Sequence, residues 1–422
     1  MFERKRFAAA ALVVLATPCS HALAQTNTAN GPATAAPFIV NGVYDGGAFV
    51  SLRGGVRSGS TYTGNLHLHA TGDLGAIHGP AETTIYADVL WIHGGQPSQR
   101  VGDAQGVSNI AAPSAVKPEE LWIERNFAGD RLSILAGIFD LNAEFYRLHS
   151  ATLFVNGSFG VGPEFSQSGT EGPSIFPRTS PGFRVAVKPV DNVVLRAALL
   201  NGVPLERPDG TYALHREGDG ALVVVEAAIL DRKTASQPRN ARFRIGREES
   251  LPPYERKLAL GAWHYSASFP DLVDVEADGT PRKRRGSDGA YALFDAMLAR
   301  SPSIPERNLF GFVELGLGDR RVDRFGAYVG AGLVAKGALA TRTDDELGLS
   351  LAHARSGTHY RLAQNLQGLP VTSAESTVEL TYLAQVSGSL AIQPDLQYVV
   401  RPNSDPRIRN AVAFQLRFEV SY

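Results

Sequence analysis

The sequence predicts an all-β fold, a transmembrane antiparallel β-barrel of about sixteen strands. Three observations carry this expectation. From residue 37 onward, stretches of about ten residues alternate apolar with polar side chains, the period of a strand with two unlike faces. Glycine is abundant, 43 residues against two methionines, which suits strands and turns better than helices. The chain finishes on AVAFQLRFEVSY, where Val412, Phe414, Leu416, Phe418, Val420 and Tyr422 share one face and Gln415, Arg417, Glu419 and Ser421 the other. A terminal strand of a soluble sandwich would also read this way, so the rest of the chain has to decide.

The N-terminus comes first. Arg4, Lys5 and Arg6 precede an apolar run from Phe7 to Ala16, and Ala22-Leu23-Ala24 forms a small-residue cleavage site before Gln25. This is the pattern of a secretory signal of bacterial type, so residues 1–24 are set aside as a leader cleaved after Ala24. The only cysteine, Cys19, lies inside that leader, and Pro18 before it argues against a lipoprotein. The mature chain therefore holds no disulfide and no cysteine-based metal site. Residues 25–36, QTNTANGPATAA, read as a disordered leader, and 37–422 as one barrel domain.

The strand candidates follow in order. TGNLHLHATGDL places Leu66 and Leu68 on one face, with Asn65, His67 and His69 on the other. TTIYADVLWIHGG sets Ile85, Ala87, Val89 and Trp91 against Tyr86 and Asp88. DRLSILAGIFDL offers Leu132, Ile134, Ala136 and Ile138. FRVAVKP and NVVLRAALL pair around Pro189-Val190-Asp191-Asn192, a turn by its chemistry. ALVVVEAAIL, KLALGAWHYSA, GAYALFDAML, NLFGFVELGLGD, FGAYVGAGLVAKG, ELGLSLAHARSG, STVELTYLAQVSG and SLAIQPDLQYVV lead to the terminal strand. Parts of 140–180 and 280–308 are read as possible short helices.

One soluble domain with this many strands would be unusually large, and its strictly apolar content is modest. A closed barrel explains both, because only one face of each strand must be apolar and no edge is left unpaired. A mean hydropathy of −0.09 is compatible with this, since lumen-facing residues offset lipid-facing ones. Trp91, Trp122, Trp263, Tyr265, Tyr382, Tyr398 and Tyr422 are expected in the aromatic girdles. Tyr422 is then the last-strand aromatic presented to the barrel-assembly machinery. Lys and Arg total 41 against 42 Asp and Glu, which gives no indication of nucleic acid as a partner.

Four stretches resemble the carbohydrate-selective porin family (the OprB type). They are YTGNLHLHATGDL at 62–74, IHGGQPSQRVGDAQGVSNIAAP at 92–113, AGIFDLNAEFYRLHSATLFVNGSFGVGPEFSQSGTEGPSIFP at 136–177, and ESTVELTYLAQVSGSLAIQPDLQYVVRP at 375–402. The resemblance implies a sixteen-stranded outer-membrane barrel, acting as a monomer, that passes sugars by passive diffusion through a narrowed pore. It also implies that the long segment 140–181 folds inward as a constriction loop. Residues 278–308, with the basic run Arg282-Lys283-Arg284-Arg285, carry none of the resemblance.

Parity of the strands assigns the lumen face, which carries Arg184, Arg196, Glu226, Arg242, Arg244, Glu379, Gln397, Arg417 and Glu419. Such groups bind hydroxyls and set ionic preference, or they pair across strands and hold the wall. In 140–181, Asp140, Asn142, Glu144, Arg147, Glu164 and Arg178 are candidates for the pore lining. Phe139, Phe145, Tyr146, Phe154, Phe159, Phe165 and Phe176 would stack on sugar faces or pack a small core. His67 and His69 have a spacing that can bind a metal, but lumen-facing imidazoles are the favoured reading. The basic run is read as a solvated loop or as a contact to acidic lipopolysaccharide. No cofactor or metal is called for, and no hydrolase, phosphate-loop or metalloprotease motif is present. The expected solutes are mono- or disaccharides, with carboxylates or aromatic acids kept open by the lumen arginines. The competing class is a barrel enzyme such as a lipase, for which His264 and Ser266 near a strand end are the only candidate pair.

Overall fold

Sixteen strands run up and down, each paired antiparallel with its neighbours in sequence, and the last closes on the first. They are β1 (Phe38–Gly55), β2 (Gly59–Asp73), β3 (Thr83–Gly94), β4 (Ala115–Phe127), β5 (Leu132–Phe139), β6 (Ser180–Val187), β7 (Val193–Asn201), β8 (Ala221–Asp231), β9 (Arg256–Val275), β10 (Pro281–Arg300), β11 (Asn308–Leu317), β12 (Phe325–Lys336), β13 (Glu346–Ser356), β14 (Ala374–Ser387), β15 (Leu390–Val400) and β16 (Arg409–Ser421). The computed structural model describes residues 37–422 except 130, 208–210, 232–253, 305 and 340. Closure is made by β1 and β16, with Tyr44 opposite Val420 and Phe49 opposite Gln415. The strand at the C-terminus is therefore the closing strand of a barrel.

The alternation seen in the sequence is the alternation of the wall. Along β8, Val223, Val225 and Ile229 are exposed while Leu222, Val224, Glu226, Ala228 and Leu230 are buried. Neighbouring strands continue the outer band with Leu195 and Leu199 on β7 and Leu258 and Leu260 on β9. An apolar belt this extensive would aggregate in water. In hydrocarbon it is at home, and closure leaves the sheet no open edge.

The two ends of the barrel differ. Connections 128–131, 188–192 and 388–389 are short and lie at the end where β1 begins and β16 finishes. The opposite end carries the long connections 95–114, 140–179, 202–220 and 357–373. Short turns mark the periplasmic end of such barrels and long loops the outer end. The connection 232–255, mostly outside the described residues, is the long exception at the short-turn end.

Segment 140–179 turns into the lumen. It is built from 3-10 turns at Leu141–Ala143, Ser150–Leu153 and Gly157–Phe159 and from a single helical turn, α2 (Pro163–Ser166), after the equally short α1 (Ser98–Val101). Its aromatics pack on inward-facing residues of β9 to β12. Phe165 stacks on Trp263 at 4.2 Å, Tyr146 meets Tyr291 at 4.5 Å, and Phe154 meets Phe159 and Phe312 at 5.1 and 5.6 Å. Each buried aromatic removes roughly 150–250 Å² from water. At about 25 cal/mol per Å² that is about 4–6 kcal/mol apiece before the cost of ordering the segment. The wall makes room with small residues. A Cβ at Gly289 would overlap the Trp263 ring, and one at Gly316 would overlap the Glu164 carboxylate.

Two expectations are corrected here. Trp122, Trp263 and Tyr265 are not girdle residues: they are buried on the lumen side, because a barrel this wide must fill part of its interior with large rings. Trp91 and Tyr398 do face outward, and Tyr422, the last residue, stands exposed at the short-turn mouth of the barrel. Residues 281–300 form β10 rather than a helix, and the helix the alternation did not reveal is α3 (Thr358–Leu366) in connection 357–373.

Candidate functional site

The inward segment does not sit centrally. It lies against the β9–β12 side and leaves a cavity of about 1490 Å³ over the opposite wall. That cavity reaches from Ile39, Ser389 and Tyr422 at the short-turn end up to Asn142, Glu144, Gly157 and Gln167 of the segment. Its wall is contributed by β1 to β7 and β14 to β16.

A charged ladder crosses the cavity where wall and segment meet. Glu144 stands between two arginines of adjacent strands, β6 and β7. Its Oε1 accepts from Arg184 Nε and Nη2 at 3.0 and 2.7 Å, and its Oε2 accepts from Arg196 Nε at 3.3 Å. Arg184 Nη2 also donates to Glu124 Oε1 at 2.6 Å, and Arg196 lies 3.5 Å from Glu226. Across the cavity, Arg417 pairs with Asp45 at 2.7 Å and donates to Asn109 Oδ1 at 2.8 Å. Each arginine is thus held by carboxylates and still lines the open space. Deeper toward the short-turn end, Tyr86 stacks between His69 and Trp122, with ring centres 5.9 and 4.9 Å away. His67 Nδ1 and Asp88 Oδ2 share a hydrogen bond at 2.7 Å.

A second set of carboxylates holds the segment in place. Glu226 accepts from the Tyr146 backbone N–H at 3.0 Å and from the Tyr291 hydroxyl at 2.9 Å. Asp295 accepts from the backbone N–H and hydroxyl of Ser150 at 3.1 and 2.6 Å, and Glu379 from the N–H groups of Val155 and Asn156 at 2.6 and 3.1 Å. Gln397 and Gln393 complete the row: Asn156 Nδ2 donates to Gln397 Oε1 at 3.2 Å, and Gln393 Nε2 donates to the Leu153 carbonyl at 2.7 Å. Hydrogen bonds to a charged acceptor contribute about 1.5–3 kcal/mol each. A segment rich in glycine and short turns has many backbone N–H groups to satisfy, and the wall supplies the acceptors.

The predicted residues therefore separate into groups. Asp140, Asn142, Glu144, Arg147, Arg184, Arg196, Arg417 and Glu419 line the cavity. Glu226, Glu379 and Gln397 do not; they are buried and tie the segment to the wall. Glu164 is also fully buried, accepting from the Tyr146 hydroxyl at 3.0 Å behind Gly316. Arg178 pairs with Glu171 within the segment and stays outside the cavity. Arg242 and Arg244 lie outside the described residues. Of the phenylalanines, Phe139, Phe145, Phe154, Phe159 and Phe165 are buried and pack the core. His264 is held by Asp288 at 2.6 Å and the Ser266 hydroxyl accepts from the Ala221 N–H, so the two are engaged separately.

Sequence reasoning missed a second inward connection, 95–114. Its Ala104 and Gln105 N–H groups donate to Glu375 at 2.9 and 3.1 Å, and Gln397 Nε2 donates to the Val107 carbonyl at 2.9 Å. It joins the first segment through Gly157 N to Gly106 O at 2.7 Å and Asn109 N to Val155 O at 2.8 Å. Its length was the one available signal, since a structureless connection of this size is usually functional. Glu120 and Glu124 on β4 were also passed over, although strand parity places them inward.

Comparison with known proteins agrees with this architecture. The model of the carbohydrate-selective porin, OprB family, matches residues 57–422. Porin B of Pseudomonas aeruginosa is 24% identical over 415 residues, covering 90% of this chain and 86% of that protein. The high-pH structure of Pseudomonas putida OprB superposes with a TM-score of 0.79 at 19% identity, covering 92% of this chain and 94% of that one. The low-pH structure of the same protein gives 0.56 at 15%, over 92% and 93%. At these identities the structural likeness is one of fold.

Proposed function

The chain belongs to the carbohydrate-selective porin, OprB family, and is an outer-membrane porin; from this premise we propose that it admits small sugars, mono- or disaccharides, through the off-centre cavity. The observation that carries the reading is the arrangement of that cavity. Charges of both signs alternate around the opening, Arg184, Arg196 and Arg417 against Glu124, Glu144 and Glu419. A neutral polyol is well served by such a wall, because each hydroxyl can donate to a carboxylate and accept from a guanidinium. The contacts are several and individually weak, as passage requires. Asp140, Asn142, Glu144, Arg147, Arg184, Arg196, Arg417 and Glu419 are the residues assigned to contact the solute.

Carboxylates and aromatic acids are the less favoured solutes, since the cavity arginines already carry carboxylate partners. Porins are channels rather than enzymes, and no catalytic role is assigned to His264 or Ser266. The remaining features of the reading are a leader removed after Ala24, assembly guided by the strand ending at Tyr422, lipopolysaccharide as the outer neighbour, and a monomeric working unit.

The test is single-channel conductance of the purified mature protein in planar bilayers, titrated with glucose, maltose and succinate. Small steady conductance blocked by the sugars and indifferent to succinate is the expected result. Block by succinate and not by sugars would move the solute class to anions, and absence of any channel would overturn the reading.

A further inference from the structure

The basic run Arg282-Lys283-Arg284-Arg285 was left without a role by the channel, and the geometry divides it in two. Arg282 is paired with Glu276 at 3.1 Å. Arg284 is inward-facing and bonded to Asp271 and Asp274 at 2.9 and 2.6 Å. Lys283 and Arg285 point the other way. They stand opposite Pro270 and Ser268 on β9, on the outer face, both are exposed, and neither has an anionic partner among the described residues. The switch in facing is made by Gly286, whose φ of 84° interrupts the alternation of β10 at a bulge.

The height of these two cations follows from their strand. On the outer face of this hairpin the apolar band runs through Leu258, Leu260 and Phe294, and ends beside Val223 and the His264–Asp288 pair. From His264 to Ser268 is four residues, roughly 13 Å along a strand. With the usual tilt of barrel strands that places Arg285 about 10 Å beyond the hydrocarbon, and Lys283 a few Å further. This end is the outer one by its long loops. Two unpaired cations, side by side at the depth of the headgroups and directly above an apolar wall, match an amphiphile with anionic headgroups and acyl chains.

We infer that Lys283 and Arg285 form a binding site for the phosphate groups of the acylated glycolipid of the outer leaflet, with Ser268 on the same face available to its sugar hydroxyls. A guanidinium and an ammonium together suit a phosphate, the first through its planar fork and the second as a point charge. This site lies on the outside of the wall and is independent of what the channel carries.

The experiment uses the full-length mature protein in detergent. Binding of fluorescent diphosphorylated lipid A is compared between the wild type, a Lys283→Ala/Arg285→Ala variant and an Arg282→Ala control, with dephosphorylated lipid A and inorganic phosphate as probes. The double variant should bind at least tenfold more weakly, in line with about a fivefold contribution from each cation near an anionic surface. Arg282→Ala should bind as the wild type, Lys283→Arg/Arg285→Lys should restore most of the affinity, and single-channel conductance should be unchanged throughout. Equal binding by the double variant would overturn the site. Dephosphorylated lipid A binding as tightly as the phosphorylated form would show that the acyl chains alone are recognised, and full competition by millimolar phosphate would reassign the site to a small anion. A variant that no longer shifts on heating in a gel would be replaced by Lys283→Gln/Arg285→Gln, which keeps the side-chain bulk on the strand face.

Discussion

Glu144 concentrates the chemistry of the cavity in a single side chain, since both its oxygens are engaged and the two arginines it separates sit on neighbouring strands. Arg184 and Arg196 are nearly buried, so their charges depend on it. Replacing it by glutamine leaves two cations short of one counter-charge in a poorly hydrated place. Breaking a buried pair in this way costs about 3–5 kcal/mol. Glu144→Gln is expected to lower the temperature at which the barrel unfolds on a heat-modifiability gel. It should also move the reversal potential in a KCl gradient toward anions, and an unmoved reversal potential would remove Glu144 from the pore. Gly316 provides a second single-residue test, because any side chain there meets Glu164 and must push α2 away from the wall. Gly316→Leu should narrow the passage, seen as smaller and noisier conductance with the barrel still heat-modifiable. Asp219 offers a test by pH, in the outer connection 202–220 and outside the spanning strands. Burial acts to raise its pKa, but hydrogen bonds from Arg207, the Arg216 N–H and Asn201 outweigh that and hold it below the ordinary carboxylate value. A depressed folded-state pKa stabilises the connection above the unfolded value and loses that contribution as pH falls through the folded one. Proteolytic cleavage within 202–220 should therefore stay slow at neutral pH and rise only below about pH 4, and Asp219→Asn should cleave fast at every pH.

At the scale of elements, the inward segment owes its position to acceptors that the wall provides. Glu379 takes the N–H groups of both Val155 and Asn156, at the turn that brings Phe154 and Phe159 onto Phe312. Glu379→Gln replaces one charged acceptor oxygen by an amide that donates, so one of those N–H groups loses its partner. The expected cost is about 1–3 kcal/mol, enough to loosen the turn while the aromatic core keeps the segment inside. Sugar block should weaken severalfold and open-channel noise should rise. Noise and block identical to the wild type would show that the aromatic packing alone holds the segment. The same element explains what the sequence could and could not disclose. Most strands were legible because a two-residue period survives along them, from TGNLHLHA in β2 to AVAFQLRF in β16, whereas in β10 the bulge at Gly286 breaks it. The facing of Trp263 and Tyr265 was not, because an aromatic that fills a lumen and one that sits in a girdle have the same chemistry and alternate alike. Parity placed Glu226 and Glu379 inward correctly, yet whether a lumen carboxylate meets solute or a folded-in backbone is decided by residues far away in sequence, Tyr146 and Val155. Connection 95–114 escaped for a similar reason. Its small and polar residues resemble a solvated loop until Glu375 and Gln397 are seen accepting from it and donating to it.

For the whole molecule, the decisive fact is that the plug is one-sided. Aromatic packing against β9–β12 displaces the open space toward β1–β7 and β14–β16, so the charges that matter for permeation are those of this wall alone. Among the described residues seven carboxylates line the cavity, Asp88, Glu119, Glu120, Glu124, Asp140, Glu144 and Glu419, against the five cations Arg147, Arg184, Lys188, Arg196 and Arg417. The excess is small, and the arginine–carboxylate contacts described above neutralise much of the field locally. A chain whose total charge is close to balanced would otherwise be expected to show no preference at all. The cavity wall therefore predicts a weak preference for cations that depends strongly on salt. The screening length is about 30 Å at 0.01 M and about 3 Å at 1 M, so the excess acts across the whole passage in dilute salt and hardly beyond one side chain in concentrated salt. Reversal potentials in tenfold KCl gradients, one set near 10–100 mM and the other near 0.1–1 M, separate these regimes. The potential should favour potassium in the dilute pair and fall toward zero in the concentrated one, while sugar block, which rests on hydrogen bonds at contact distance, stays the same in both. Selectivity for chloride in dilute salt would place the conducting path somewhere other than this wall, and sugar block that faded with salt would mean that charge, not hydroxyl recognition, retains the solute.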